Sequence, residues 1–399
     1  MTAGYGLTRH AARLSYAGFF LLGWIAVLVP TLILLVEHEF NESDSGIGIL
    51  YLISAICYVA GSLGGGPAVE RAGRRVAFPG SCLLLGGGLL VQGLAPAWPV
   101  FVFGSAVQGI GAGALGVCGN SLVIDTYPDA RSNALSRLHL CYALGALTSP
   151  VALSWLVQSA VPWRSLMLGT GLGGLLLGLL LAPQEMTSGR YAARRPLWPP
   201  TGGARTRRQP RLPRAVVVLV AATALYVASE AGVTGWVVRY LSPMTASLAP
   251  VALTLFWAGL AVGRIVSARI SHRFDLTRLV LACGAAGAAT LVLALTVPVH
   301  PVSVALFAIV GLAYGPIYPS IMTLASQHYP ERSASVSGLV GTAASAGQSA
   351  YPPIMGFLSP TLGLGAGMLG AAALVALAGI ATKVAGATGS LRAGRNEWA

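Results

Sequence analysis

One acidic residue, Glu230, lies in a stretch where placing a charged group costs free energy. Glu230 falls near the midpoint of an apolar run from about 215 to 241, which is long enough to cross a bilayer as a helix. A carboxylate at that depth costs about 2.5 kcal/mol or more, so it should face protein or a wet cavity. It could bind a proton or a polar solute, or serve as a structural link between helices. Gly232 and Gly235 nearby would let the helix bend or let a ligand approach the backbone.

Other polar and aromatic side chains at similar depth could line a cavity with Glu230. They are Asn120, Trp24, Tyr142, Tyr226, Trp257, Tyr314, Tyr318 and Gln348. Tyr226 and Glu230 are four residues apart, as are Tyr314 and Tyr318, so each pair shares a helix face. Aromatic faces combined with amide and carboxylate groups suit a sugar, although packing or lipid contact is an equal alternative for each aromatic residue. Four tryptophans nearer the outer ends fit an interface belt: Trp98, Trp155, Trp163 and Trp236.

The composition is that of a membrane protein. Of 399 residues, 55% are hydrophobic and only 9% are charged, and the mean hydropathy is +0.72. A soluble chain would carry about 25% charged residues. The five cysteines lie in apolar runs without zinc spacing, and no phosphate-binding loop or serine elbow occurs. We therefore expect no enzyme activity, no metal and no cofactor, and we expect an ion gradient to supply any energy.

Twelve apolar runs could cross the membrane, which predicts an all-α integral membrane protein. They cover about 14–36, 46–69, 76–95, 100–125, 133–157, 163–182, 215–241, 248–269, 277–297, 301–326, 333–358 and 362–384.

The net charge of +13 follows the topology. Almost all arginines fall at the termini or in even-numbered connections, whereas the odd connections hold Glu37, Glu39, Glu42 and Asp44. The positive-inside rule then places both termini and the central connection in the cytoplasm. We expect a multi-pass protein of the inner (plasma) membrane whose basic loops contact anionic lipids, and no nucleic-acid partner.

The chain divides into two similar halves. We predict an amino-terminal six-helix half at 1–182, a cytoplasmic linker at 183–213, a second half at 214–384 and a tail at 385–399. A constant offset of 202 relates Gly61 to Gly263 and Gly109 to Gly311, and residues 127–129 (Tyr-Pro-Asp) to residues 329–331 (Tyr-Pro-Glu). Two parallel six-helix repeats are typical of transporters that rock one half against the other.

A charged loop follows the second run. Residues 66–75, Gly-Pro-Ala-Val-Glu-Arg-Ala-Gly-Arg-Arg, resemble the loop motif of the major facilitator superfamily, with glutamate in place of aspartate at position 70. Gly73 would allow a tight turn, and the charges would form a cytoplasmic gate that breaks on opening. The alternative is a solvated loop that only fixes topology. The predicted gate residues are Gly66, Glu70, Arg71, Gly73, Arg74, Arg75, Asp129, Arg131, Arg264, Arg273, Glu331 and Arg332.

Within that superfamily the chain resembles the fucose–galactose–glucose:proton symporter family. The similarity lies in Leu225-Tyr226 with Glu230, in 255–259 with 263–265, in 111–115 with Asn120, in 144–147, and in 318–321 with 323–325. The resemblance implies a major facilitator fold and hexose uptake coupled to protons, with the acid of helix seven in the pocket. Family members usually carry a glutamate in helix four where this chain has Gly116.

The favoured function is therefore transport of a hexose-like sugar with proton symport through Glu230, by alternating access and as a monomer. Three alternatives stay open: efflux of drugs or metabolites, sugar transport without proton coupling, and a membrane sensor that does not transport.

Overall fold

The computed structural model describes residues 3–127, 131–184, 213–245, 247–270, 273–328 and 333–396. These residues form thirteen helices. In chain order they are α1 (Ala3–Ala26), α2 (Leu28–Phe40), α3 (Asp44–Ala72), α4 (Arg74–Leu94), α5 (Trp98–Thr126), α6 (Arg131–Gln158), α7 (Trp163–Leu181), α8 (Arg214–Thr245), α9 (Ala249–Ile270), α10 (Leu276–Thr296), α11 (His300–Tyr314), α12 (Ile317–His328) and α13 (Ser333–Asn396).

Eleven helical segments in the described residues are long and apolar enough to cross a membrane. Ten correspond to ten of the predicted runs, because α1 with α2, and α11 with α12, each form one segment. The eleventh, Val336–Gly386, contains both the 333–358 run and the 362–384 run. Eleven separate segments do not confirm the twelve predicted runs, and the last two runs meet inside one segment at the non-helical residue Gly363.

The joined segment is too long for one crossing. Its 51 residues would span about 77 Å as a straight helix, whereas the hydrocarbon core is about 30 Å thick. Gly363 breaks the helical geometry inside it, with φ 74° and ψ 155°. That conformation favours glycine, and Pro360 just before it removes a backbone donor.

Two loops show why helices end where they do. Gly73, between α3 and α4, has φ 79°, which confirms the predicted tight turn. Asp275 caps α10: its carboxylate accepts the backbone N–H of Arg278 at 2.9 Å and the hydroxyl of Thr277 at 2.6 Å. These hydrogen bonds, that of Thr277 first, lower the pKa of Asp275 below its ordinary value.

The chain forms two compact units. The first comprises Met1–Leu28 and Ile53–Pro210, and the second comprises Val29–Leu52 and Arg211–Ala399. Most of α2 and the first residues of α3 thus belong to the second unit, although in sequence they lie in the first predicted half. The predicted half boundaries stay a prediction.

Equivalent glycine contacts occur in both units. In the first, a Cβ on Gly61 would lie 2.1 Å from the carbonyl oxygen of Ile110. In the second, a Cβ on Gly263 would lie 2.3 Å from the carbonyl oxygen of Leu312. Both members of the second pair are 202 residues beyond those of the first. The repeat seen in sequence therefore recurs as the same close helix packing, which small residues permit.

Candidate functional site

Glu230 lies on α8 in contact with a buried phenol. The side chain of Glu230 is half-buried, and Tyr226, one turn earlier, is fully buried. The hydroxyl of Tyr226 donates a hydrogen bond to the Glu230 carboxylate. The predicted shared face of these two residues is confirmed, and the carboxylate has one strong, charge-assisted donor.

A second buried network lies beside this pair. Ser229 donates to the carbonyl of Ala371 at 2.6 Å, and its oxygen lies 2.7 Å from the hydroxyl of Tyr314. Tyr314 is fully buried, and its ring centroid lies 5.8 Å from that of Tyr226 and 5.6 Å from that of Phe256. Tyr314 therefore links α8, α9 and α11 as part of the core of the second unit.

Arg264 provides an opposite charge near the same tyrosines. It is half-buried on α9, and its charge acts on the hydroxyls of both Tyr226 and Tyr318. The carboxylate of Glu230 acts on the same two hydroxyls. The sequence predicts that Arg264 is one of the gate charges, and that role stays a prediction.

The remaining predicted residues of the second unit differ in exposure. Tyr318 is half-buried and Trp257 is buried, with the Trp257 ring edge-on to Phe256 at 6.2 Å. Gln348 is exposed on α13. Its membership of a binding cavity stays a prediction.

Trp24, Asn120 and Tyr142 belong to the first unit, and all three are half-buried. The carbonyl of Trp24 accepts the Ser149 hydroxyl at 3.0 Å. A Cβ on Gly23 would lie only 1.9 Å from the carbonyl oxygen of Tyr142, so α1 and α6 approach closely here. That these residues line one cavity with Glu230 stays a prediction.

The glycines singled out in the sequence have different surroundings. A Cβ on Gly116 would find only the Tyr58 hydroxyl, at 3.7 Å, so this position has room for a side chain that the chain does not supply. A Cβ on Gly232 would lie 2.5 Å from the ring of Tyr351 and 2.9 Å from the sulfur of Met355. Gly232 thus permits close packing of α8 against α13.

In the predicted cytoplasmic gate, Arg74 is distinct from its neighbours. It is buried and forms an ion pair with Asp125 on α5, whereas Glu70, Arg71 and Arg75 are exposed. Among the other gate predictions, Gly66 is half-buried and Arg273 is exposed. Asp129, Glu331 and Arg332, with the side chain of Arg131, lie outside the described residues. The gate function of all these residues stays a prediction.

A second charge cluster was not identified from sequence. In the second unit, Nε of Arg239 lies 2.8 Å from Glu37 and 3.0 Å from Asp44, and the hydroxyl of Ser359 donates to Asp44. The sequence contains a signal for this cluster, because Arg239 is one of two basic residues among the acidic connections that are predicted to lie outside. Its pairing with Glu37 cannot be predicted from sequence, because the two residues are far apart in the chain.

The interface-belt prediction is wrong for Trp163 and Trp236, because both are buried. Trp236 is fully buried, and its indole N–H donates to the carbonyl of Pro352 at 2.9 Å. Its ring also lies edge-on to Tyr51 at 5.6 Å. Indole N–H groups need an acceptor when buried, and the backbone before Pro353 provides it. Within the described residues, no group of three or more histidine, cysteine, aspartate or glutamate side chains could hold a metal.

Comparison with known proteins is consistent with this architecture. The family model described as Major Facilitator Superfamily matches residues 14–352 and 240–395. The chain is 28% identical over 166 residues to the multidrug resistance protein MdtL of Shigella flexneri serotype 5b (strain 8401). That match covers 40% of this chain and 42% of the relative's length.

Solved structures agree over nearly the whole chain. A bacterial homolog of the human lysosomal transporter Spinster matches with TM-score 0.75 and 16% identity, over 95% of this chain and 97% of that chain. A D-xylose-proton symporter matches with TM-score 0.74 and 16% identity, over 92% and 95%. The transporter FucP in its outward conformation matches with TM-score 0.62 and 19% identity, over 96% and 99%. At these identities the matches show the fold.

Proposed function

Because the chain belongs to the Major Facilitator Superfamily, we propose that it is a twelve-crossing transporter that moves a small polar solute by alternating access. The twelve crossings require α13 to cross the membrane twice, with the break at Gly363 between the two passages. The favoured solute is a hexose-like sugar, taken up with a proton.

The observation that carries this proposal is the arrangement around Tyr226. Its hydroxyl contacts the Glu230 carboxylate, and the charge of Arg264 acts on the same hydroxyl. A sugar hydroxyl can donate to a carboxylate and accept from a guanidinium at once. The adjacent half-buried ring of Tyr318 offers an apolar face for the sugar ring.

Proton coupling is assigned to Glu230. The helix-four acid of sugar symporters is replaced by Gly116, and Asp125 is engaged by Arg74. Among the acids singled out within apolar runs, Glu230 is therefore the candidate that adjoins the proposed sugar site. Coupling requires that proton and sugar each change the other's affinity by the same factor. A shared hydrogen-bond network through Tyr226 provides that link.

Efflux of a drug or metabolite is the second candidate. The observation that favours it is the similarity to MdtL, whose name describes multidrug resistance, over 42% of that protein. An amphipathic cation could place its charge on Glu230 and its rings among Tyr226 and Trp257. Arg264 would oppose such a ligand, because its positive charge acts on the same Tyr226 hydroxyl as Glu230 does and like charges repel.

The deciding experiment follows protons and substrate together. Cells that express the chain are given single hexoses in lightly buffered medium, and external pH is recorded. Symport predicts alkalinisation when a transported sugar is added. Glu230→Gln should abolish the pH change and accumulation while sparing exchange across preloaded vesicles, and the exposed Glu39→Gln should behave as wild type.

Three outcomes separate the candidates. Sugar flux without a pH change in the wild type would rule out symport and leave a uniporter. Loss of drug resistance in a deletion strain, with no sugar uptake, would favour efflux. Growth rescue of a sugar-uptake mutant by the wild type, and its failure with Glu230→Gln, would support the sugar assignment.

A further inference from the structure

A cluster of charged side chains lies where α2, α3 and α8 meet, and its net charge is −1 when all of its groups are ionised. Two carboxylates, Glu37 and Asp44, surround the single guanidinium of Arg239. Their side chains are only 11% and 14% exposed, and that of Arg239 is 29% exposed. An uncompensated charge at such a site is costly, and a carboxyl group can escape the cost by taking up a proton. The cluster is neutral with one added proton.

Two carboxylate oxygen atoms in the cluster lack a hydrogen-bond donor among the described residues. Oε1 of Glu37 and Oδ1 of Asp44 are buried, and neither has a hydrogen-bond donor among the described residues. Oδ1 of Asp44 is near Arg239, but the alignment is not that of a hydrogen bond. The two carboxylates are close together, because both lie within 3.0 Å of the same Nε atom of Arg239. A single proton between them would satisfy both oxygens, as two adjacent carboxyl groups commonly do.

The local helices decide which group carries the proton. Asp44 is the first residue of α3, where the helix dipole favours an anion, and its second oxygen accepts the Ser359 hydroxyl. Glu37 lies in the last turn of α2, where the dipole disfavours an anion. Asp44 is therefore the group that stays ionised, and Glu37 is the group that holds the proton.

The neighbouring titratable groups do not supply the missing charge. The hydroxyl of Tyr51 on α3 donates to the carbonyl of Gly235 at 3.0 Å, and that of Tyr240 on α8 donates to the carbonyl of Leu295 at 3.4 Å. His38 and Glu39 on α2 are exposed. Glu42 is half-buried and its backbone N–H donates to the carbonyl of Glu37 at 3.0 Å, but its side chain is acidic and so supplies no positive charge. A proton can reach the cluster, because Asp44, Arg239 and Ser359 line an open surface pocket with Gly363 and Leu364.

We propose that Glu37 and Asp44 form a proton-binding site in which Glu37 carries the proton and donates to Asp44, while Arg239 balances the remaining charge. The site is separate from Glu230, which lies about two and a half turns earlier on α8. On the predicted topology it faces the outer side, where protons enter. That consequence alone depends on the proposed function.

Infrared spectroscopy of the purified full-length protein in lipid vesicles tests the proposal without any substrate. At neutral pH the wild type should show a carboxylic-acid C=O band that shifts in D₂O. Glu37→Gln should remove this band, and Asp44→Asn should also remove it, because Glu37 alone then balances Arg239. Glu39→Gln on the same helix and Glu230→Gln should retain it.

Isotope labelling of the wild type identifies the residue type that carries the proton, without any substitution. The band should shift when glutamate carries a ¹³C carboxyl group and stay in place when aspartate does. A shift with labelled aspartate would move the proton to Asp44 and overturn the assignment. Absence of a band sensitive to Glu37→Gln, or its loss only in Glu230→Gln, would reject the site, whatever transport assays show for Glu230.

Discussion

At position 232 a single methyl group decides whether α8 and α13 can pack. A Cβ there would lie 2.5 Å from the Tyr351 ring, whereas a Cβ on Gly235 would find Pro352 and Tyr51 no closer than 3.7 Å. Gly232→Ala should therefore destabilise the protein by about 1–3 kcal/mol through overpacking. Gly235→Ala on the same helix should have little effect or stabilise slightly.

Thermal unfolding of both variants in one detergent provides the measurement. A lower midpoint for Gly232→Ala alone is expected. Equal midpoints for the two variants would mean that Tyr351 rotates away freely, so that Gly232 is not needed for packing.

At the residue scale, side-chain contacts can be predicted from sequence when the two partners are close in the chain. The contact of Tyr226 with Glu230 follows from four-residue spacing alone. The pairing of Glu37 and Asp44 with Arg239 does not, since charge patterns place residues on a side of the membrane but do not specify which of them touch. Trp236 was misplaced for a similar reason: its position in the run is near the outer end, but its buried face is set by α3 and α13.

At the scale of helices, the ion pair of Arg74 with Asp125 joins the start of α4 to the end of α5. The Arg74 side chain is 7% exposed and that of Asp125 is 35% exposed. Removal of one partner of a fully buried pair costs about 3–5 kcal/mol, and solvent at Asp125 reduces this to about 1–3 kcal/mol. Arg74→Ala should lower stability by that amount, whereas the exposed Arg75→Ala should change it by less than about 0.5 kcal/mol.

A double-mutant cycle with Asp125→Asn isolates the pair. The two single variants should each be destabilised, and the double variant should be no worse than Arg74→Ala, because the same contact is lost once. Additive losses would show that Arg74 and Asp125 act separately, and would leave the loop with a role in topology alone.

The helices were largely predictable because apolar run length fixes them. Ten of the predicted runs match helical segments in the described residues, and the repeat offset of 202 recurs in the contacts of Gly61 and Gly263. The end of the chain was less predictable. A break at Gly363 needs only one residue with positive φ, and the surrounding helix continues on both sides. Hydropathy shows two runs there but cannot show whether a turn or a kink joins them.

At the scale of the whole molecule, charge asymmetry predicts which ends of the helices share a side of the membrane. The 183–213 connection is rich in arginine, whereas the connection around Asn41 is flanked by Glu39, Glu42 and Asp44. Two crossings by α13 would bring Gly363 to the same side as Asn41, because an odd number of crossings then separates each of them from the amino terminus, which is predicted to be cytoplasmic. One crossing by α13 would not place Gly363 between two membrane passages.

Reporter fusions in a bacterial host with a periplasm test orientation and crossing number together. A phosphatase that is active only in the periplasm should be silent when inserted within 183–213, because the positive-inside rule keeps that connection in the cytoplasm. The same reporter should be active after Asn41 and after Gly363. Activity in the central connection would invert the predicted topology, with the Glu37–Asp44 site then facing the cytoplasm. An inactive reporter after Gly363, together with an active one after Asn41, would instead show that α13 does not cross twice. The twelve-crossing proposal would then be wrong, because no other segment among the described residues is long enough for two crossings.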